Sequence, residues 1–263
     1  MTNHTTESYS QIARDSRLKV LDLVYKAQTS HIGSLFSCAD IFAVLFEKID
    51  LEKDRFVLSA GWKAAMLYYH LWRKGRITLE QLDSYCQEGS EFIGLAEPII
   101  PEIKIAGGSM GVGFPGAVGL ALAKKLKGEE GTVYCLMSDG ELAIGTTWES
   151  ALIAAHHQLD NLIVIVDQNG LQAMGNTKDI LETHLGCFGG FQRHFVNGHD
   201  YEGIQTLLSP TPQTGERRHP RVIIGETVKG RGVSFMEGSN LYHYKQLSEQ
   251  EYNDAKAELN GRN

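Results

Sequence analysis

The amino-acid sequence predicts an α/β domain, a parallel sheet with helices on both faces, and three observations carry that prediction. Short apolar segments with no polar alternation, Thr132–Met137 and Leu162–Val166, are separated by longer segments of helical period, the pattern of strands buried on both sides. The segments between successive strands are long enough for crossover helices and too long for hairpins. The length and composition, 263 residues with 42 % hydrophobic and 22 % charged, suit one soluble domain spanning 1–263.

Each element has a local reason. Residues 7–28 read as a helix because Leu18, Leu21, Val24 and Tyr25 share a face. A polar break over 29–34 follows, and Ser37 with Asp40 has the spacing of a capping box. That places a second helix from Ser37, with Ile41, Phe42, Leu45, Phe46 and Ile49 as its apolar stripe. Arg55–Leu58 is a strand, and behind Ser59-Ala60-Gly61 a helix runs over Trp62–Arg73. Thr78-Leu79-Glu80-Gln81 is a further capping box, opening a helix to Cys86. The glycine-rich stretch Ala106–Gly113 leads into a helix of small residues that ends at Lys127, with Gly128 as its stop. Strand 132–137, helix Thr146–Leu159, strand 162–166, strand Val222–Ile224 and a polar helix opened by Ser248 complete the chain. Ser209–Pro220 holds three of the six prolines and is an exposed loop. Its Arg217, Arg218 and His219, with Arg221, read as a solvated cluster in preference to an anion site.

Composition narrows the function classes. Twenty-five basic against 32 acidic residues give a net charge of −7, which does not suggest a nucleic-acid surface. No apolar run approaches the ~20 residues of a membrane span, and the opening MTNHTTESYSQ has no signal-peptide pattern. Cys38, Cys86, Cys135 and Cys187 form no CxxC pair, so a metal knuckle or disulfide framework is not expected and a reducing cytoplasm is.

The chemistry lies in one strand–helix–strand unit. Ser138-Asp139-Gly140 follows the first strand, and Asn169-Gly170 follows the next, with Asn169 thirty positions after Asp139. Asp-Gly and Asn-Gly alone are common turns. Across one crossover, however, the two strands run parallel and both side chains leave the carboxyl edge, where open α/β sheets bind ligands. Neighbouring strands lie ~4.8 Å apart, so a carboxylate and an amide oxygen there can share one hard cation. Oxygen-only ligation with few protein ligands suits Mg²⁺, its other positions going to water and phosphate oxygens. Gly140 permits close approach of a phosphate, and the following helix start offers free N–H groups. The residues by themselves describe a site for a metal-bridged diphosphate.

The stretch SDGELAIGTTWESALIAAHHQLDNLIVIVDQNGLQAMGNT resembles the thiamine diphosphate motif of transketolases, a Gly-Asp-Gly followed some thirty residues later by Asn. Four more blocks resemble that family in order and spacing. They are RDSRLKVLDLVYKAQTSHIGS, DRFVLSAGW, GGSMGVGFPGAVGLALAKKL and ETVKGRGVSFMEGSNLYHY. The resemblance spans roughly residues 10–245 and implies a thiamine diphosphate-binding fold. It implies that Asp139, Asn169 and the carbonyl of Leu171 hold Mg²⁺, that Gly140 meets the diphosphate, and that Gly108 and Met110 line the cofactor. His31 corresponds to the family's active-site histidine and His243 to one that reaches the cofactor phosphate or substrate. His156 and His157 match nothing catalytic and are taken as packing or surface residues.

Full transketolases join this pyrophosphate-binding domain to a pyrimidine-binding domain that supplies an essential glutamate. The resemblance here covers the first domain alone. It therefore implies the N-terminal subunit of a split transketolase, paired with a C-terminal subunit, two copies of each. Departures are specific: Trp62 stands where the family has histidine, Leu95 where it has a second, and Ile144 where it has an acidic residue. The implied reaction is transfer of a two-carbon ketol unit from a ketose donor to an aldehyde acceptor. The departures keep open acyl transfer from a 2-oxo acid such as pyruvate, and a non-catalytic partner chain. Reading Gly108-x-x-Gly111-x-Gly113 as a nucleotide-binding loop is disfavoured, because the order is not GxGxxG and no strong strand precedes it.

Overall fold

A computed structural model of the chain describes residues 8–173, 175–177, 181–209 and 218–261. Five strands, β1 (Arg55–Leu58), β2 (Val133–Ser138), β3 (Leu162–Gln168), β6 (Gln192–Asn197) and β7 (Arg221–Glu226), form one sheet in the order β1-β2-β3-β7-β6. Every pairing in it is parallel. Two short strands, β4 (Leu171–Gln172) and β5 (Gly175–Asn176), pair antiparallel beside it.

Alternation along the strands feeds two separate cores. Tyr134, Leu136, Ile163, Ile165 and Ile223 face a layer built from α1 (Tyr9–Ala27), α2 (Ile32–Ser37), α3 (Ala39–Lys48), α4 (Ala64–Arg73), α9 (Tyr201–Leu208) and α10 (Glu249–Gly261). Val133, Cys135, Met137, Leu162, Val164 and Val166 face the other way, onto α6 (Gly113–Lys127) and α7 (Gly145–His156). Both faces are thus covered, as the apolar strands predict.

Some helix ends are fixed by their own capping residues. Ser8 caps α1 by accepting from Gln11 N, and Thr78 and Gln81 form the expected reciprocal box before α5 (Leu79–Asp83). Gly128 closes α6 in the left-handed region at φ 66°. Ser37 does not open a helix: α2 begins at Ile32 and α3 at Ala39. The Ser37 hydroxyl is spent on Ser34 O (3.0 Å) and Asp167 (2.6 Å). Strand β6 and helix α9, which the sequence left unassigned, fill the interval before the proline-rich loop, where α8 (Leu181–His184) also lies. Most of the expected exposed loop Ser209–Pro220, residues 210–217 with Arg217 among them, lies outside the described residues. Arg218 pairs with Asp160 at 2.7 Å, and Arg221 is buried on Leu207 O and Ser209 O. Among the described residues no helix is long and apolar enough to cross a membrane. His156 and His157 are exposed, their rings 5.0 Å apart.

Candidate active site

The register Ser138↔Asp167 sets the carboxyl ends of β2 and β3 side by side. Asp139 and Asn169 therefore leave the sheet as neighbours. Asp139 is 1 % exposed, and its Oδ2 accepts from Gly170 N (2.8 Å) and Thr177 Oγ1 (2.6 Å), while Oδ1 accepts from Gly140 N (3.0 Å). Burial pushes its carboxyl up to about 6 despite those donors, so a nearby cation would favour the charged form. Asn169 Oδ1 accepts from Leu171 N at 3.1 Å, and its Nδ2 stands 3.5 Å from Asp167 Oδ2.

One cavity of about 190 Å³ is lined by all eight residues that the sequence singles out: His31, Gly108, Met110, Asp139, Gly140, Asn169, Leu171 and His243. Trp62, Lys63, Gln172 and Tyr244 join them. A Cβ built on Gly140 would lie 3.4 Å from Gln172 Cβ and 3.6 Å from Met110 Cε, occupying the cradle itself. The larger cleft of about 550 Å³ lies away from these residues, beside Arg17, Asp40 and His199, which are bonded to one another directly or through Asp40.

Oxygen dominates the donor set. Among the described residues no three His, Cys, Asp or Glu side chains cluster to hold a metal. A cation here would rest on one carboxylate and neutral oxygens, which fits Mg²⁺ sharing its shell with water and phosphate. It would not suit zinc, which is usually bound by nitrogen and sulfur.

The opposite wall is aromatic and uncharged. His31 sits at φ 73°, an uncommon left-handed position for a non-glycine residue, held by its N–H donating to His243 O at 2.9 Å. Its Nδ1 shares a 2.7 Å hydrogen bond with Ser30 Oγ. The His31 ring lies 5.0 Å from His243, 5.7 Å from Tyr244 and 6.3 Å from Trp62. Burial, then the Lys229 ammonium, lowers both His31 and His243 to about 4, so both are neutral at pH 7. Lys229, itself lowered by burial to about 8, donates to Asn240 Oδ1 (3.0 Å) and to His243 Nδ1 (2.8 Å). An ammonium only donates, so His243 Nδ1 accepts and the proton of the neutral ring resides on Nε2. Of the three departures, Trp62 reaches the cavity. Leu95 packs behind Gly108, and Ile144 packs against Gly111 at the start of α7.

Several participants were invisible in the sequence. Lys63 and Asp167, both 0 % exposed, form an ion pair beneath the cavity. Burial alone would raise the Asp167 carboxyl; the Lys63 ammonium outweighs it and holds it below the usual range. Glu141 is buried against Ser59 and Ser138 and fixes the turn that carries Asp139. Thr177 and Asn240 lie inside the family-like blocks, but nothing in the sequence singles them out. Lys229 lay within one of the family-like blocks, but no signal separated it from other lysines.

Fold and site together define an α/β domain with its candidate ligand site at the carboxyl edge of a parallel sheet. The family described as "Transketolase, thiamine diphosphate binding domain" matches residues 8–262, and the chain belongs to that family. It is 32% identical over 260 residues to one of the subunits of the apulose-4-phosphate transketolase of Phocaeicola vulgatus, covering 94% of this chain and 92% of that one. A 6-deoxy-6-sulfo-D-fructose transketolase subunit of a Clostridium species is 32% identical over 258 residues, covering 92% of this chain and 93% of its own length. The solved transketolase of Campylobacter jejuni superposes with a TM-score of 0.86 at 31% identity, over 96% of this chain and 43% of that one. The chain thus spans nearly the whole of the subunit-type relatives and about two fifths of the solved transketolases, 41% in the first of them.

Proposed function

We propose that this chain is the N-terminal subunit of a split transketolase, acting with thiamine diphosphate and Mg²⁺ to move a two-carbon ketol unit from a ketose to an aldehyde. The observation that carries the reading is the convergence of Asp139, Asn169, Leu171, Gly140, Gly108, Met110, His31 and His243 on one cavity. The near-complete overlap with relatives named as subunits supports the split arrangement. A C-terminal subunit then completes the site, with two copies of each chain in a symmetric assembly, in the cytoplasm.

In this reading Asp139, Asn169 and the Leu171 carbonyl hold the metal ion, and Gly140 lets the diphosphate approach the backbone. Bound thiamine diphosphate supplies the nucleophilic carbon at which a bond beside a carbonyl is cleaved and remade. The chain's part is orientation and proton placement. His243, its Nδ1 occupied by Lys229, offers Nε2–H to an oxygen anion. His31, neutral and pinned by Ser30, offers a hydrogen bond to a donor hydroxyl. Trp62 and Tyr244 add aromatic surface to the cavity wall.

Calorimetry tests the cofactor reading. Thiamine diphosphate should bind with Mg²⁺ present and fail to bind in EDTA, and Asp139→Ala should abolish binding. Unchanged affinity in EDTA would overturn the metal bridge. Turnover is expected only after a C-terminal subunit is added, so activity of the purified chain alone would refute the split arrangement.

Trp62 in the cavity favours one second reading, an apolar donor unit such as the acetyl group of a 2-oxo acid. A hydroxyl left without a buried partner costs roughly 1–3 kcal/mol, and the Trp62 indole offers one N–H donor and no acceptor. A donor screen on the reconstituted enzyme separates the readings. Reaction of ketose phosphates with none of pyruvate ends the second. A non-catalytic role is disfavoured by Asp139 and Asn169 standing together in the same cavity.

A further inference from the structure

We propose that Lys63 is a positioning residue for the cation site: by occupying Asp167 Oδ2, it leaves the Asn169 amide at arm's length and its oxygen free for the ion. The inference rests on the metal and cofactor reading above and adds a residue to it.

Lys63 follows Trp62 on the turn that ends β1, and no part of its side chain reaches solvent although it borders the cavity. Its Nζ binds Asp167 Oδ2. The same oxygen accepts from Ser37 Oγ at 2.6 Å, and Oδ1 accepts from Thr227 Oγ1. Asn169 Nδ2 is the remaining neighbour of Oδ2, and at 3.5 Å it is the longest of these contacts.

That length is the informative feature. An amide N–H meeting a carboxylate normally closes to ~2.9 Å, and Asn169 stands well short of this. The ammonium and the Ser37 hydroxyl already supply Oδ2 with donors, so little attraction remains for a third. The amide is still sorted, because only its NH₂ end can face a carboxylate. Its oxygen consequently turns the other way, to Leu171 N and the cavity. Take away the ammonium, and a fully buried carboxylate keeps only neutral donors. The movable one is the Asn169 amide. It would swing onto Oδ2 and shift by about half an ångström from where it now stands, a displacement large enough to matter at a metal site.

The test uses the full-length chain with thiamine diphosphate and Mn²⁺, a hard divalent ion whose binding is read directly by electron paramagnetic resonance. Lys63→Met should raise the Mn²⁺ Kd at least tenfold. Lys63→Arg, which keeps the charge, should stay within threefold of the parent. Lys63→Met combined with Asp167→Asn removes the pull on Asn169 together with the buried charge. It should recover to within threefold, a rescue that a purely structural role for Lys63 would not produce. A folded Lys63→Met chain with unchanged Mn²⁺ affinity overturns the proposal. If Lys63→Met does not fold, the double variant decides: recovery within threefold supports the proposal, and a tenfold loss in the folded double variant overturns it. Absence of Mn²⁺ binding by the parent chain would instead sink the cofactor reading, and this inference with it.

Discussion

His70 is a buried base with nowhere to put a proton. Its ring packs against those of Phe42 and Phe46, 5.5 and 5.1 Å away, and its Nε2 has no hydrogen-bond partner. Burial, helped by Arg73 and Lys74, holds its pKa well below the ordinary value of 6.5. A lowered histidine contributes its stability in full above the unfolded-state pKa and loses it as pH falls from there toward the folded value. Below pH 6.5 the loss approaches ~1.4 kcal/mol per pH unit. Denaturant unfolding between pH 7.5 and 5 should show this slope, and His70→Phe should reduce it by one proton. An identical slope in the variant would assign the acid sensitivity to other groups. Asp40 makes the opposite kind of site, a buried carboxylate satisfied by Arg17, His199 and Tyr201. Asp40→Ala leaves the Arg17 cation buried without its partner and should cost about 3–5 kcal/mol, visible in thermal melts; a loss below 1 kcal/mol would contradict the buried-pair account. These residues also mark where sequence reading stops. Asp139 and Asn169 were legible because one crossover links them. Lys63 and Asp167 were not, because their pairing spans 104 positions and no local pattern distinguishes a buried lysine from a solvated one.

Elements were legible wherever a local rule decided them. The Thr78 box is such a case, and Thr78→Ala should cost about 1 kcal/mol, measured as a fall in denaturation midpoint; no change would mean the cap is dispensable. Ser37 had the right spacing and failed, because a hydroxyl with a buried carboxylate in reach binds that in preference to a helix end. Strand β6 was missed for a different reason. Its residues alternate half-buried with exposed along a sheet edge, so QRHFVN lacks the apolar run that revealed β2 and β3. The glycine-rich stretch before α6 contributes Gly108 and Met110 to the cavity, and its packing is as telling as that place. A Cβ on Gly107 would stand 1.9 Å from Leu58 O and 3.1 Å from Gly61 Cα. Both neighbours are backbone, so neither yields cheaply. Gly107→Ala should displace the loop, weaken thiamine diphosphate binding and lower the melting temperature together. A variant with parental values for both would show that the loop tolerates the shift.

At the scale of the whole molecule, the two-faced sheet followed from its apolar strands, but the strand order did not. Nothing local says that β7 enters between β3 and β6. Such an arrangement follows from long-range packing: β7 is apolar on both sides and belongs inside, whereas β6 exposes Phe195 and suits an edge. This order has a consequence in time. During synthesis, the β3 edge, carrying the run LIVIV, stays open until β7 has been made, and β6 has no strand to join before then. Some fifty residues separate Gln168 from Arg221, on the order of 3–10 s of translation at about 5–20 residues per second. Throughout that interval the nascent chain presents an unpaired apolar edge, the feature that invites aggregation. Slower translation across 169–220 should therefore lower the soluble yield, and faster translation or added chaperone should raise it, without altering the stability of the finished protein.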